Sequence, residues 1–160
     1  MKKNLMITII IIISVCICGC FNNPSTVLAY SLNYPWECEG NSITVTGVTI
    51  ADSYTAPDGT EHIPDADGVL VIVSCRVSMS PTWNISQKTS IENAVANIPM
   101  LCEPITEGHN DGEEKLILLF SIPDDEYTGN IRDYFLNMEV SSGSNTRTQL
   151  FNFIDEKIKK

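Results

Sequence analysis

Residues 69–79 (VLVIVSCRVSM) form the segment that most limits how this chain can fold. Every second residue in it is apolar, a period of two that is typical of a β-strand and does not produce one face of a helix. The intervening residues begin apolar, at Leu70 and Ile72, and become polar from Ser74 onward. The segment is therefore predicted to be a strand that is buried on both faces at its start and on one face at its end.

The rest of the body repeats this period in short runs separated by turns rich in Gly, Pro and Asp. The other predicted strands are residues 43–50, 116–122, 134–140 and 146–153. In the first of them, Ile43 and Val45 share one face. A β-bulge at Gly47 is predicted because it returns Val48 and Ile50 to that face. Several short strands without a long helical pattern predict an all-β sandwich.

Residues 80–110 have the least regular pattern of the body. Within them, residues 90–98 (SIENAVANI) fit one or two helical turns, with Ser90 as a cap. The residues on the apolar face of these turns would be Ile91, Ala94, Val95 and Ile98. The same residues fit an edge strand equally well. Trp83 is the large aromatic residue of this stretch and is expected to anchor the loop.

The first 19 residues have the composition of a secretory signal peptide. Lys2 and Lys3 make the start positive, and the apolar run that follows ends at Ile17. As a helix, that run would be about 20 Å long, whereas the hydrocarbon layer of a bilayer is about 30 Å thick. An uncleaved membrane anchor that extends through Phe21 is the alternative.

The motif Ile17-Cys18-Gly19-Cys20 resembles the lipobox of prokaryotic lipoproteins. This resemblance implies that a diacylglyceryl group alkylates the thiol of Cys20, which then becomes the first residue of the mature chain. The implied location is the extracytoplasmic face of the cell membrane, held by the lipid. The domain boundaries predicted on this basis are a signal peptide over 1–19, an uncharged tether over 20–35 and a folded domain over 36–160.

The charge of the chain argues against nucleic-acid binding, since phosphate recognition needs a basic surface. The full chain carries 10 basic and 20 acidic side chains, a net charge of −10. Removal of the signal peptide takes away Lys2 and Lys3 and leaves a net charge of −12.

The order of motifs in the body carries a second resemblance. Asp67-Gly68 precedes the strand described first, and a later segment has the pattern that runs through Gly112, Leu118, Phe120, Ile122 and Pro123. This order, over about residues 41–153, resembles the telokin-like, immunoglobulin-type domain of unknown function found on prokaryotic surface lipoproteins. The resemblance implies an immunoglobulin-like β-sandwich and no agreed catalytic residues. Ser80-Pro81 stands where that family usually has an Asn after the second strand.

The residue patterns of the mature chain predict neither a catalytic site nor a cofactor. His62 and His109 lie in loop-like segments and are expected to be exposed. The chain contains neither the H-E-x-x-H motif nor the G-x-S-x-G motif. Asn84-Ile85-Ser86 is a glycosylation sequon, relevant where the host glycosylates exported proteins.

Calcium is the metal for which the sequence offers a candidate site. Asp58, Glu61, Asp65 and Asp67 lie within ten residues of one another around two Gly turns. Carboxylate oxygens are ligands that calcium prefers, although the spacing of an EF-hand is missing. Ordinary exposed turn residues are the alternative.

Three cysteines remain in the body after the signal peptide and the lipobox: Cys38, Cys75 and Cys102. Cys75 lies on the apolar face of the strand at 69–79 and is predicted to be buried and unreactive. A disulfide between Cys38 and Cys102 is predicted for an exported protein, and three reduced thiols are the alternative.

These expectations lead to two candidate functions. The first is a lipid-anchored surface module that binds an extracytoplasmic protein or glycan. The alternative is a structural or envelope-assembly lipoprotein without a small ligand. An enzyme ranks third among the possible functions, because the sequence shows no catalytic pattern.

Overall fold

Short antiparallel strands make up most of residues 29–65 and 67–154, the parts of the chain that the computed structural model describes. In chain order the elements are β1 (Pro35–Cys38), β2 (Asn41–Ala51), β3 (Tyr54–Thr55), β4 (Glu61–His62), β5 (Gly68–Ser78), β6 (Asn84–Ile85), β7 (Ser90–Glu92), β8 (Asn97–Pro99), β9 (Ile105–Asn110), β10 (Glu113–Pro123), a 3₁₀ turn (Ile131–Asp133), β11 (Phe135–Ser142) and β12 (Asn145–Asn152).

The strands form two main sheets and one small hairpin. Sheet I has the order β1-β2-β5-β10-β9, and sheet II has the order β12-β11-β7-β8 with β6 beside β11. Strands β3 and β4 pair only with each other among the described residues. The two main sheets pack face to face, so the predicted all-β sandwich is confirmed.

The core between the sheets comes from the period-two pattern of β5, β10 and β11. Strand β5 contributes its odd-numbered residues and β10 its even-numbered ones from Leu116 to Ile122; all of these are buried except Val69, which is half-buried and packs on the same core. From sheet II, Leu136, Met138 and Val140 face them and are buried. A fully buried aliphatic side chain contributes about 1.5–3 kcal/mol relative to an exposed one, so this face supplies much of the stability.

The predicted β-bulge in β2 is confirmed. The pairing of β2 with β5 shifts between Val45 and Gly47, which leaves Thr46 as the extra residue. Val48 therefore packs against the same core as Val45. Ile50 lies on that side as well but is 40% exposed, because it stands next to the end of the strand.

Residues 90–98 form two short strands joined by a turn, so the helical alternative is wrong. Strands β7 and β8 pair as a hairpin in which Ile91 lies opposite Ile98, and both are buried. The side-chain oxygen of Asn93 accepts hydrogen bonds from the backbone N–H groups of Val95 and Ala96 at 2.9 and 2.8 Å. This turn leaves Val95 89% exposed, whereas a helix would have placed it on the apolar face.

A buried tyrosine stabilises the connection between the two sheets after β10. The ring of Tyr134, directly before β11, is fully buried and stacks on Tyr127, with centroids 6.3 Å apart. Its hydroxyl donates to the backbone carbonyl of Glu126 and accepts from the backbone N–H of Thr128. This bonding of a buried tyrosine to the backbone upstream is similar to the tyrosine corner of immunoglobulin-like sandwiches.

The sandwich begins before the predicted domain start at residue 36. The backbone of Tyr30 donates to Leu150 and accepts from Asn152, both at 2.8 Å, and Leu32 is buried against the core. The last residues of the predicted tether, 20–35, thus pack on the domain. The predicted signal peptide and Cys20 lie outside the described residues.

Gly68 is required by a close approach between β5 and β10. A Cβ atom at this position would lie 2.7 Å from the carbonyl oxygen of Ile122 and 3.0 Å from that of Asp65. Because both are backbone atoms, we expect Gly68→Ala to lower the free energy of unfolding by about 2 kcal/mol. At Gly47 a Cβ would meet nothing within 4 Å, so Gly47→Ala is the control. If urea denaturation showed the same loss of unfolding free energy for Gly68→Ala and Gly47→Ala, this explanation would be contradicted.

Candidate functional site

The outer face of sheet I, which faces away from sheet II, carries a second apolar cluster. Its centre is formed by Leu70 of β5 and by Ile117 and Leu119 of β10, all of them buried. An outward-facing position in a sandwich is usually polar. The sequence predicts that β5 is buried on both faces at its start, and the burial of Leu70 confirms this. We call this group, together with the side chains that pack on it, the outer cluster.

Two short segments cover the outer cluster. Tyr54 of the β3–β4 hairpin packs on it from one side, and Leu101, Cys102 and Ile105 pack on it from the segment that leads into β9. The backbone N–H of Leu101 donates to the carbonyl of Leu119 at 2.7 Å, which holds this segment against β10. This cover consists of one small hairpin and one connection, and it is much smaller than a sheet.

A hydrogen-bonded triad fastens the hairpin to the sheet. The hydroxyl of Tyr54 donates to Oε1 of Glu107 at 2.9 Å, and Nζ of Lys115 forms an ion pair with Oε2 of the same carboxylate. Burial and the bond to Glu107 raise the pKa of Tyr54 to about 12. The bond from Lys115 is the main reason that the pKa of Glu107 is below its ordinary value. Tyr54 is therefore a neutral donor at physiological pH.

An open groove of about 510 Å³ lies between the hairpin and the segment that leads into β9. We call it the hairpin groove. It is lined on the hairpin side by Ala56, Pro57, Asp58, Thr60 and His62, and on the other side by Cys102, Glu103, Pro104, Ile105 and Thr106. The walls are mainly apolar, and Asp58 and Glu103 supply the carboxylates. The groove is thus a concave surface next to β9, the edge strand of sheet I.

The other end of the outer face carries charged side chains, and its cations form ion pairs with neighbouring carboxylates. Arg76 lies opposite Lys115 in the pairing of β5 with β10. Each of these cations has a carboxylate partner: Glu113 lies 3.4 Å from Arg76, and Glu107 pairs with Lys115. The shallow depression there, of about 420 Å³, is lined by these residues and by His109. Because both cations are already paired, this end does not favour an anionic ligand.

The structure does not bring the predicted calcium ligands together. Oδ1 of Asp58 accepts a hydrogen bond from the backbone N–H of Thr60 at 2.9 Å, an ordinary turn contact that also lowers the pKa of Asp58. Glu61 begins β4, and Asp65 and Asp67 lie in the turn before β5. Among residues 29–65 and 67–154, no group of three or more His, Cys, Asp or Glu side chains is close enough to hold a metal ion.

The predicted disulfide between Cys38 and Cys102 is not formed, and both thiols are free. Cys38 lies in β1 and packs on the main core, whereas Cys102 lies beside β10 on the outer cluster. Strands β1 and β10 are three inter-strand steps apart, about 14 Å, and a disulfide needs Cα atoms within about 7 Å of each other. Cys75 is fully buried, as predicted, and burial raises the pKa of its thiol to about 12.

Both histidines lie on strands, whereas the sequence predicts exposed loops. His62 is half-buried in β4, with its ring centroid 6.3 Å from that of Tyr54, and His109 is exposed in β9. The sequon residue Asn84 is exposed in β6. Trp83 packs against the core, as expected for a residue that anchors the loop.

Sequence reasoning missed the triad of Tyr54, Glu107 and Lys115. The apolar even-numbered positions of β5 were the signal that the outer face needs a cover. They do not indicate which segment provides it.

Comparison of the sequence with protein-family models and with curated proteins gives no match. A solved structure shares the fold. It is that of an uncharacterized β-sandwich protein from Clostridium difficile, with a TM-score of 0.50 and 10% sequence identity. The similarity covers 79% of this chain and 95% of that chain. At this identity the likeness shows the fold alone. Within the described ranges, no helix has the length and apolar character needed to cross a membrane.

The triad predicts a specific dependence of stability on pH. Because the pKa of Glu107 is lowered by folding, its contribution is complete above the pKa of an unfolded glutamate, about 4.3, and is lost as the pH falls through the folded-state value. We expect Glu107→Gln to lower stability at pH 7 by about 1 kcal/mol or less, and this difference from the wild type to shrink below about pH 4. Glu37→Gln, at an exposed position in β1, is the control in thermal melts. A loss for Glu107→Gln that is the same at pH 3 and pH 7 would contradict the triad.

Proposed function

We propose that this chain is a lipid-anchored, extracytoplasmic β-sandwich module that binds a partner on the outer face of sheet I and performs no catalysis. The observation that carries the proposal is the hairpin groove. It is an open, apolar-walled surface in a part of the sandwich where, among residues 29–65 and 67–154, a small hairpin and a connection cover the sheet. Binding surfaces on sandwiches are commonly built from such connecting segments on a rigid scaffold.

The anchor is supported by the sequence that precedes the sandwich. A positive start, a short apolar run and the lipobox-like motif end at Cys20. Only nine peptide units separate Cys20 from Ala29, the first described residue. A fully extended chain of that length spans about 30 Å, so a lipid on Cys20 would keep the sandwich within about one domain diameter of the membrane.

Two features support the telokin-like, immunoglobulin-type assignment of the domain. The first is the tyrosine corner at Tyr134. The second is the requirement for glycine at position 68, where the motif of that family has a glycine at the start of a core strand. Both features concern packing, so they support a fold type and say nothing about the ligand. The proposed ligand is instead argued from the groove.

Lipid attachment is tested by Cys20→Ala in the native host. We expect the wild type to incorporate labelled fatty acid and to fractionate with membranes, since two or more acyl chains give stable attachment at about 0.8 kcal/mol per buried methylene. The variant should lose both properties, while Cys38→Ala should retain them. Unchanged labelling and membrane retention of Cys20→Ala would contradict the proposed anchor.

The binding function is tested by photo-crosslinking in intact cells. A crosslinking amino acid at Thr60, in the hairpin groove, is expected to give a discrete adduct with a partner, because this position faces the proposed binding surface. The same substitution at Thr148, an exposed position in β12 of sheet II, should give none. Adducts to further copies of this chain at both positions would favour the structural, envelope-assembly alternative and contradict a groove-mediated binding function.

A further inference from the structure

We infer that the hairpin groove takes an extended peptide segment in which basic side chains alternate with apolar ones. This inference rests on the proposed binding function and names the chemical class of the partner. It follows from three independent properties of the groove: its walls, its charge and its position beside the edge of sheet I.

The walls favour apolar side chains. Ala56 and Pro57 line the hairpin side, and Pro104 and Ile105 line the opposite side. Proline and alanine lose little side-chain entropy when a ligand covers them. Ile105 also packs on the outer cluster, so this wall rests on the sheet below.

The charge favours a cation. Asp58 and Glu103 are the charged side chains of the lining, which contains neither Lys nor Arg. Between residues 29 and 154 the sequence has 18 acidic and five basic side chains. Three of the basic residues, Arg76, Lys115 and Arg147, already form ion pairs elsewhere. The carboxylates of the groove are therefore available for a basic ligand, and the surrounding field attracts it.

The position favours an extended backbone. Strand β9 is the edge of sheet I, and its first two residues, Ile105 and Thr106, also line the groove. An edge strand offers backbone N–H and C=O groups to a peptide that adds as a further strand. Successive side chains of such a peptide point to opposite sides, and each side of the groove carries apolar residues and one carboxylate, so a peptide that presents both apolar and basic side chains would meet both kinds of group.

The test uses the full chain, purified in mild detergent, and fluorescent peptides of about eight residues, slightly longer than the six residues of β9. We expect a peptide of alternating Lys and Val to bind, and peptides of alternating Glu and Val or of alternating Lys and Ser to bind at least about tenfold more weakly. The isosteric double variant Asp58→Asn/Glu103→Gln should weaken binding of the Lys–Val peptide by about tenfold. Asn at position 58 preserves the turn contact to Thr60, so the hairpin keeps its conformation.

The matched control is Asp124→Asn/Asp125→Asn, which makes the same change in net charge at exposed positions outside the groove. We expect it to change the affinity by less than about twofold, because exposed charges beyond a Debye length are screened. Equal weakening by the two double variants would show non-specific attraction and overturn the inference. It would also be overturned if a neutral oligosaccharide bound and the Lys–Val peptide did not. A crosslinked partner at Thr60 without any affinity for the peptide would leave the proposed function standing and overturn this inference alone.

Discussion

The pairing of β5 with β10 is the interaction on which the other parts of the structure depend. The two strands align in one unbroken antiparallel register from Gly68 opposite Pro123 to Val77 opposite Glu114. Strand β5 is apolar on both faces near its Gly68 end and β10 is apolar on both faces over residues 116–120, so both sides of the sheet must be covered there. Sheet II covers the inner side. On the outer side, the β3–β4 hairpin and the segment before β9 provide a narrower cover, and the space between these two segments is the hairpin groove.

Features that depend on local sequence could be predicted. The alternation at 69–79 is sufficient to identify β5, and its change from apolar to polar at Ser74 indicates where the outer face becomes accessible. The β-bulge at Gly47 follows from a phase shift in the apolar pattern, which the pairing with β5 confirms. The turn at Asp111-Gly112 has positive φ angles at both residues, +51° and +82°, a backbone conformation that this pair of residues adopts readily.

Features that depend on long-range contacts could not be predicted. Tyr54 and Glu107 are 53 residues apart in the chain and meet because the β3–β4 hairpin folds back over the outer face.

The failed prediction of the disulfide has the same origin. Cys38 and Cys102 both look peripheral in the sequence, but the strand order β1-β2-β5-β10-β9 places β1 at one edge of sheet I and β10 next to the other. At residues 90–98, the spacing of apolar residues suits a helix and an edge strand equally, and it does not predict the hairpin that forms. Asn93, which caps the turn with its side chain, determines the outcome.

The acidic charge of the chain has opposite consequences for the two surfaces that a lipid-anchored module would meet. Anionic headgroups would repel the sandwich where it comes within a Debye length of the bilayer, about 8 Å, which keeps the groove from lying against the membrane. A basic segment of another protein would be attracted by the same field, and the carboxylates of Asp58 and Glu103 are exposed in the groove and can be reached by it. Since the described cations at the other end of the outer face are neutralised by Glu107 and Glu113, they do not oppose this attraction. The ion pair of Glu107 with Lys115, which holds the hairpin through Tyr54, therefore also leaves the potential of the neighbouring groove negative.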